Sequence, residues 1–78
     1  MLKSLAPVLD RLRALPGLVE KRPGVFYRRS KAFLHFHEDP AGFFADVRAA
    51  GGIDFDRLKI DVSDQGDAFV AHVKSLLT

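Results

Sequence analysis

One segment, residues 25–51, decides the fold that the sequence predicts: VFYRRSKAFLHFHEDPAGFFADVRAAG. In its first half apolar and polar residues alternate with a period of two, which is typical of β-strands. Arg29 and Ser30 interrupt the alternation, so residues 25–28 and 31–37 are predicted to be antiparallel strands joined at that tip. The tip lacks the Gly or Asn that tight turns prefer, which leaves a longer loop and a shifted register open.

A tip at these two residues places Tyr27 opposite Ala32 and Phe26 opposite Phe33, and this register defines two faces. One face is continuously apolar and is predicted to pack on the core: Val25, Tyr27, Ala32, Leu34 and Phe36. The outer face of the hairpin then carries the other side chains: Phe26, Arg28, Lys31, Phe33, His35 and His37.

The second half of the segment has the pattern of a helix that begins at Asp39. Asp is a favoured N-cap residue, and Pro40 suits the first helical position. Apolar residues then recur at helical spacing: Phe43, Phe44, Val47 and Ala50. Gly51 and Gly52 would end the helix. We therefore expect a hairpin that is followed directly by a helix.

The N-terminal segment is predicted to be an amphipathic helix. Ser4 is placed to cap it, and Pro16 together with the following glycine predicts that it ends at Leu15. Residues 18–22 fit either an irregular connection or a short edge strand.

The C-terminal segment adds a strand and a helix. Residues 58–62 alternate as a strand, and Ser63 is placed to cap the last helix. The predicted order is α-β-β-α-β-α within one domain, residues 1–78. This order indicates an α+β fold with an antiparallel or mixed sheet of three to four strands and helices largely on one face.

Composition narrows the chemistry. The chain is 47% hydrophobic with seven Phe and no Cys, so a core is expected, while a nucleophilic thiol and a thiolate metal site are excluded. No apolar run is long enough for a signal peptide or a membrane span, which predicts a cytoplasmic protein without membrane contact. Residues 1–37 contain eight Lys or Arg and two acidic residues, whereas residues 38–78 contain four Lys or Arg and eight acidic residues. The first half of the chain is therefore basic and the second half acidic.

Two histidines are the strongest chemical signal. His35 and His37 are two residues apart on a predicted strand, so their side chains point the same way and could share a metal ion. A third ligand would have to come from Asp39, His72 or a loop acid. The alternative is a pair of half-exposed histidines on a solvated sheet face.

Basic residues interleaved with aromatic rings are the second signal. Such a surface can hold phosphates and stack on bases, so nucleic-acid or protein binding is predicted for the outer face of hairpin 25–37. The residues expected to carry it are Arg28, Arg29, Lys31, Phe26 and Phe33. A second copy of the chain is another candidate to cover the two Phe, giving a homodimer. In the structural alternative, the charges form a solvated tip and another element of the chain covers both rings.

No catalytic motif accompanies these residues. The serines lack the context of a nucleophile elbow, and the glycines match neither a phosphate-binding loop nor a dinucleotide-binding fingerprint. We therefore expect a binding module without enzymatic activity or cofactor, with metal binding through His35 and His37, or a structural or oligomerisation role, as alternatives.

The stretch YRRSKAF, residues 27–33, follows a helix that ends in Leu-Pro-Gly and resembles the small bacterial proteins of the MmcQ/YjbR type. In that family a helix, a Leu-Pro element and a hairpin recur, and the second strand begins with Lys, an apolar residue and Phe. The resemblance covers about the first half of the chain and leaves residues 35–39 unmatched. It implies an α+β fold, and many members are labelled DNA-binding.

Overall fold

The computed structural model describes residues 3–49 and 52–77, which form two α-helices and five β-strands. The helices are α1 (Ala6–Arg13) and α2 (Asp67–Leu77), and the strands are β1 (Val19–Arg22), β2 (Val25–Arg28), β3 (Lys31–Asp39), β4 (Gly42–Arg48) and β5 (Phe55–Ile60). Short 3₁₀ turns at Lys3–Leu5 and Val62–Asp64 lead towards the helices. No helix in the described ranges is long and apolar enough to cross a membrane.

The five strands form one antiparallel meander in the order β1-β2-β3-β4-β5. Both helices contribute to the single core cluster that covers one face of this sheet, and the other face carries no helix of the described chain. The predicted α+β class is confirmed. The predicted order and the three to four strands are wrong, because strand β4 replaces the central helix. The edge strand considered for residues 18–22 is confirmed as β1.

That central helix is the main correction. Asp39 does not cap a helix, because its carboxylate accepts a hydrogen bond from the amide of Ala41 at 2.9 Å and closes a tight turn. Gly42 follows with a φ of 135°, which favours glycine, and β4 then pairs with β3 on one side and β5 on the other. Pairing on both edges outweighs the local helix signals. Two residues at the predicted end of the helix, Ala50 and Gly51, lie outside the described residues.

The hairpin tip is confirmed, but the register beyond it is shifted. Tyr27 lies opposite Ala32 as predicted, and both tip residues have positive φ values of 52° and 68°. Phe26, however, pairs with Leu34 instead of Phe33, so β3 carries one extra residue at a bulge.

The bulge reverses the predicted faces of β2. Phe26 and Phe33 are only 1% and 4% exposed and belong to the core, so their assignment to the outer face was wrong. Val25 and Tyr27 lie on the outer face instead, because their register partners His35 and Ala32 point away from the core side. Beyond the bulge the prediction holds, with Leu34 and Phe36 inside and the two histidines outside.

The observed boundaries of the helices and of the last strand also differ from the predicted ones. Leu5, not Ser4, precedes α1, without a side-chain cap, and α1 ends at Arg13, two residues before the predicted stop. The last strand is Phe55–Ile60 instead of 58–62. Ser63 caps no α-helix, because it lies within a 3₁₀ turn in which the Asp61 carboxylate accepts a hydrogen bond from its amide.

Candidate metal centre on the open face of the sheet

The helix-free face of the sheet is defined by residues that lie opposite one another on β3, β4 and β5. His35 lies opposite Asp46, which in turn lies opposite Arg57. Directly paired residues share a face and bring their Cβ atoms to within roughly 5 Å of one another. These three strands therefore place two histidines, one carboxylate and one guanidinium in a single cluster.

The carboxylate of Asp46 is the centre of this cluster. Its Oδ2 atom lies 2.7 Å from Nε2 of His37 and 3.5 Å from Nε2 of His35. The two imidazole rings meet edge to face, with their centroids 4.4 Å apart. One ligand atom from each of the three side chains falls within 4.8 Å of the other two. All three side chains can therefore reach a common point.

Arg57 holds Asp46 from the side of β5. Its Nε donates to Oδ1 at 2.9 Å, and its Nη2 donates to Oδ2 at 3.3 Å. These bonds, followed by the contact with His37, lower the pKa of Asp46 from 3.8 to about 2 against the opposing effect of desolvation. The carboxylate consequently stays ionised further into the acid range than an ordinary Asp.

The cluster is open to solvent on one side. The side chains of His35 and His37 are 42% and 34% exposed, whereas that of Asp46 is 18% exposed. A tetrahedral site with ligand atoms about 2.0–2.1 Å from the ion separates those atoms by roughly 3.3 Å. The two contacts of Asp46, at 2.7 and 3.5 Å, lie on either side of that spacing. The exposed side of the cluster would leave an ion held by these side chains accessible to water.

The third potential ligand differs from those proposed on sequence. Asp39 is engaged in the β3–β4 turn, and His72 lies on α2, which packs on the opposite face of the sheet. Asp46 was missed because its segment was interpreted as a helix. A turn between Asp39 and Gly42 would have revealed Asp46 from the sequence. In an antiparallel pair that begins at this turn, the residue four before Asp39 lies opposite the residue four after Gly42, and these residues are His35 and Asp46.

The residues predicted for nucleic-acid binding do not gather on this face. Phe26 and Phe33 are buried in the core and have no ring face available for stacking. Arg28 points towards the helices, where it donates to the carbonyls of Leu76 and Leu77 in α2. Arg29 and Lys31 are exposed at the hairpin tip. The predicted set is thus divided between the core and one end of the sheet.

The depressed pKa of Asp46 predicts an acid-dependent loss of stability. Because the native pKa lies below the ordinary value, the ionised carboxylate stabilises the fold above about pH 4, and this stabilisation is lost as the pH falls through about 2. With allowance for solvent screening, it amounts to about 1–2 kcal/mol. Urea unfolding of wild type and Asp46→Asn at about pH 6 and about pH 2.5 measures it. The stability gap between the two proteins should shrink by about two thirds of that amount at the lower pH, where a carboxyl with a pKa of about 2 is still partly ionised. A constant gap would contradict the assignment.

Comparison with known proteins does not identify a relative. The chain matches no protein-family model, no curated protein and no solved structure at a significant level. The resemblance to the MmcQ/YjbR type therefore stays a prediction. The cluster on the open face has to be interpreted from its own chemistry.

Proposed function

We propose that this protein is a binding module for a divalent transition-metal ion, held by His35, His37 and Asp46. The observation that carries the proposal is the convergence of three ligand atoms from two adjacent strands to within 4.8 Å. Both histidines project from β3 and the aspartate from the middle of β4, so the backbone positions are held by paired strands and not by a loop. A site on rigid elements loses little conformational entropy when it binds.

The donor set selects the class of metal. Two imidazoles and one carboxylate suit zinc, copper, nickel, cobalt or ferrous iron, whereas calcium and magnesium prefer oxygen ligands alone. Three protein ligands leave at least one position of a tetrahedral ion for water. The metal would have to displace the hydrogen bond between His37 and Asp46, so its affinity includes the cost of that contact.

Arg57 acts on the ligand without being one. Its two bonds to the Asp46 carboxylate fix the orientation of that group, as outer-shell partners of metal ligands generally do. They also lower the pKa of Asp46, so this ligand stays deprotonated further into the acid range than an ordinary Asp. The positive charge beside the ion opposes binding, although its side chain is 60% exposed and solvent screens the repulsion. We therefore expect micromolar affinity.

The test is titration of the untagged chain with Zn²⁺. Calorimetry measures the affinity, and NMR spectroscopy detects changes in the signals of the imidazole rings. One ion should bind per chain, and the signals of His35 and His37 should shift while those of His72 stay in place. His37→Ala should weaken binding by about 30-fold or more, because two ligands rarely hold zinc at micromolar concentration.

His72→Ala is the matched control, since it removes the chain's third histidine from the exposed surface of α2. This variant should bind Zn²⁺ as the wild type does. Equal weakening by His72→Ala and His37→Ala, or the absence of ring shifts at millimolar metal, would refute the proposal. Co²⁺ absorption provides a second readout, because its visible bands distinguish four-coordinate from six-coordinate binding.

A further inference from the structure

A second cluster of charge lies at the end of the sheet where the β2–β3 turn, the end of β4 and the C-terminus of α2 meet. These elements enclose an open cleft of about 330 Å³. Its charged lining consists of Arg28, Arg29, Lys31 and Arg48, and its apolar lining includes Phe33 and Leu76. The volume is at the lower end of the range for small-molecule sites.

The four cations have no acidic partners among the described residues. Elsewhere in the chain Arg11, Arg13 and Arg57 form ion pairs with carboxylates. Within the described ranges, by contrast, no carboxylate lies in ion-pair distance of any cation lining the cleft. Like charges gathered around a concave surface raise the local positive potential and attract anions.

Two of the four cations are held in place by backbone carbonyls. Arg28 donates to the carbonyl oxygens of Leu76 at 3.1 Å and Leu77 at 3.3 Å. These contacts cover the carbonyls at the negative end of α2, which would otherwise repel an anion. The guanidinium has five N–H donors, and these bonds use two of them.

Arg48 is fixed on the other side of the cleft. Its Nε donates to the carbonyl of Ala32 and its Nη1 to that of Gly52, each at 2.8 Å, and the guanidinium lies 4.6 Å from the centre of the Phe55 ring. A guanidinium held in this way loses little entropy on binding and can form parallel bonds to two oxygens of a phosphate. The exposed Arg29 and Lys31 then supply further positive charge from the hairpin tip.

We propose that this cleft binds the phosphoryl group of a small phosphorylated molecule. Two anchored guanidinium groups match the oxygens of a phosphate, and the two additional cations balance its double negative charge. The partly exposed Leu76 side chain provides an apolar surface for the rest of the ligand. The concave shape and limited volume favour a small ligand over a nucleic-acid strand, whose backbone requires a continuous groove lined by aromatic rings.

The experiment is an NMR titration at low ionic strength in the presence of EDTA, so that the proposed metal site plays no part. The probes are inorganic phosphate, adenosine 5′-monophosphate, adenosine and a short single-stranded DNA of mixed sequence. Phosphate and the monophosphate should shift the signals of Arg28, Lys31 and Arg48. Adenosine should bind at least about 10-fold more weakly than its monophosphate, because it lacks the charged group.

Lys31→Gln and Lys59→Gln form the matched pair of variants. Lys31 is exposed at the cleft, and Lys59 is exposed opposite Phe44, outside the cleft lining, so neither change removes a core contact. Lys31→Gln should weaken binding of the monophosphate by about 3- to 10-fold, and Lys59→Gln should leave it unchanged. Equal effects of the two variants, or shifts spread over all lysines and arginines, would overturn the proposal. Binding of DNA far more tightly than of the monophosphate would also overturn it and support a nucleic-acid ligand instead.

Discussion

Phe26→Ala is expected to lower the free energy of unfolding by about 3–5 kcal/mol, since truncation of a buried Phe removes its transfer free energy and leaves a cavity. Phe26 is 1% exposed, and its ring meets that of Phe36 edge to face with the centroids 6.5 Å apart. The ring of Phe36 in turn packs against the ring of Phe69 in α2, with the centroids 5.9 Å apart. Removal of Phe26 therefore weakens the contact between the sheet and the C-terminal helix.

A loss of this size approaches the total stability of a small domain, so much of the variant should be unfolded at room temperature. Urea unfolding followed by circular dichroism measures the change. Val19→Ala is the control, because Val19 is an apolar strand residue of β1 that is 55% exposed, and its replacement should cost less than about 1 kcal/mol. Similar losses in the two variants would contradict the placement of Phe26 in the core.

Gly66→Ala is expected to cost about 2–5 kcal/mol for two separate reasons. Gly66 has a φ of 71°, a conformation that costs other residues roughly 1–2 kcal/mol. A Cβ atom at this position would also lie 2.8 Å from Cγ2 and 3.2 Å from Cγ1 of Val8, which is fully buried in α1. Overpacking of this kind typically adds about 1–3 kcal/mol.

Gly17→Ala separates the two contributions. Gly17 also has a positive φ, of 91°, but nothing lies within 4 Å of a Cβ atom placed there. Its replacement should show only the backbone cost of about 1–2 kcal/mol. In the double variant Val8→Ala, Gly66→Ala the clashing methyl groups are absent, so the loss should be smaller than the sum of the two single losses by about 1–2 kcal/mol. Additive losses would show that Val8 and Gly66 do not meet.

The two proposed sites use different surfaces of one sheet. The metal ligands lie on the open face in the middle of β3 and β4, whereas the basic cleft lies at the end where the hairpin tip meets α2. Each site can therefore be tested with the other left intact. Arg28 both lines the cleft and stabilises the fold, because its hydrogen bonds to Leu76 and Leu77 hold the end of α2 against the sheet.

The sequence alone determined the parts of the molecule that depend on near neighbours in the chain. The alternation in β2 and β3, the two-residue tip at Arg29 and Ser30, and the common direction of His35 and His37 all follow from local periodicity. These features survived because each depends on contacts within a few residues. The absence of Cys likewise decided from composition that no thiolate takes part in any site.

The tertiary structure decided the identity of β4, the buried face of β2 and the third metal ligand. Residues 39–52 contain a residue suited to cap a helix and glycines suited to end one, and they also show the alternation of a strand. The local signals favour the helix. Pairing with β3 and β5 satisfies the backbone hydrogen-bonding groups of β4 on both edges. A local pattern in the sequence cannot reveal this pairing, because it involves other strands. The one-residue bulge after Ala32 then reverses the face of β2 and buries Phe26. Asp46 reaches His37 only through this long-range pairing, so the candidate site became visible only in the folded sheet.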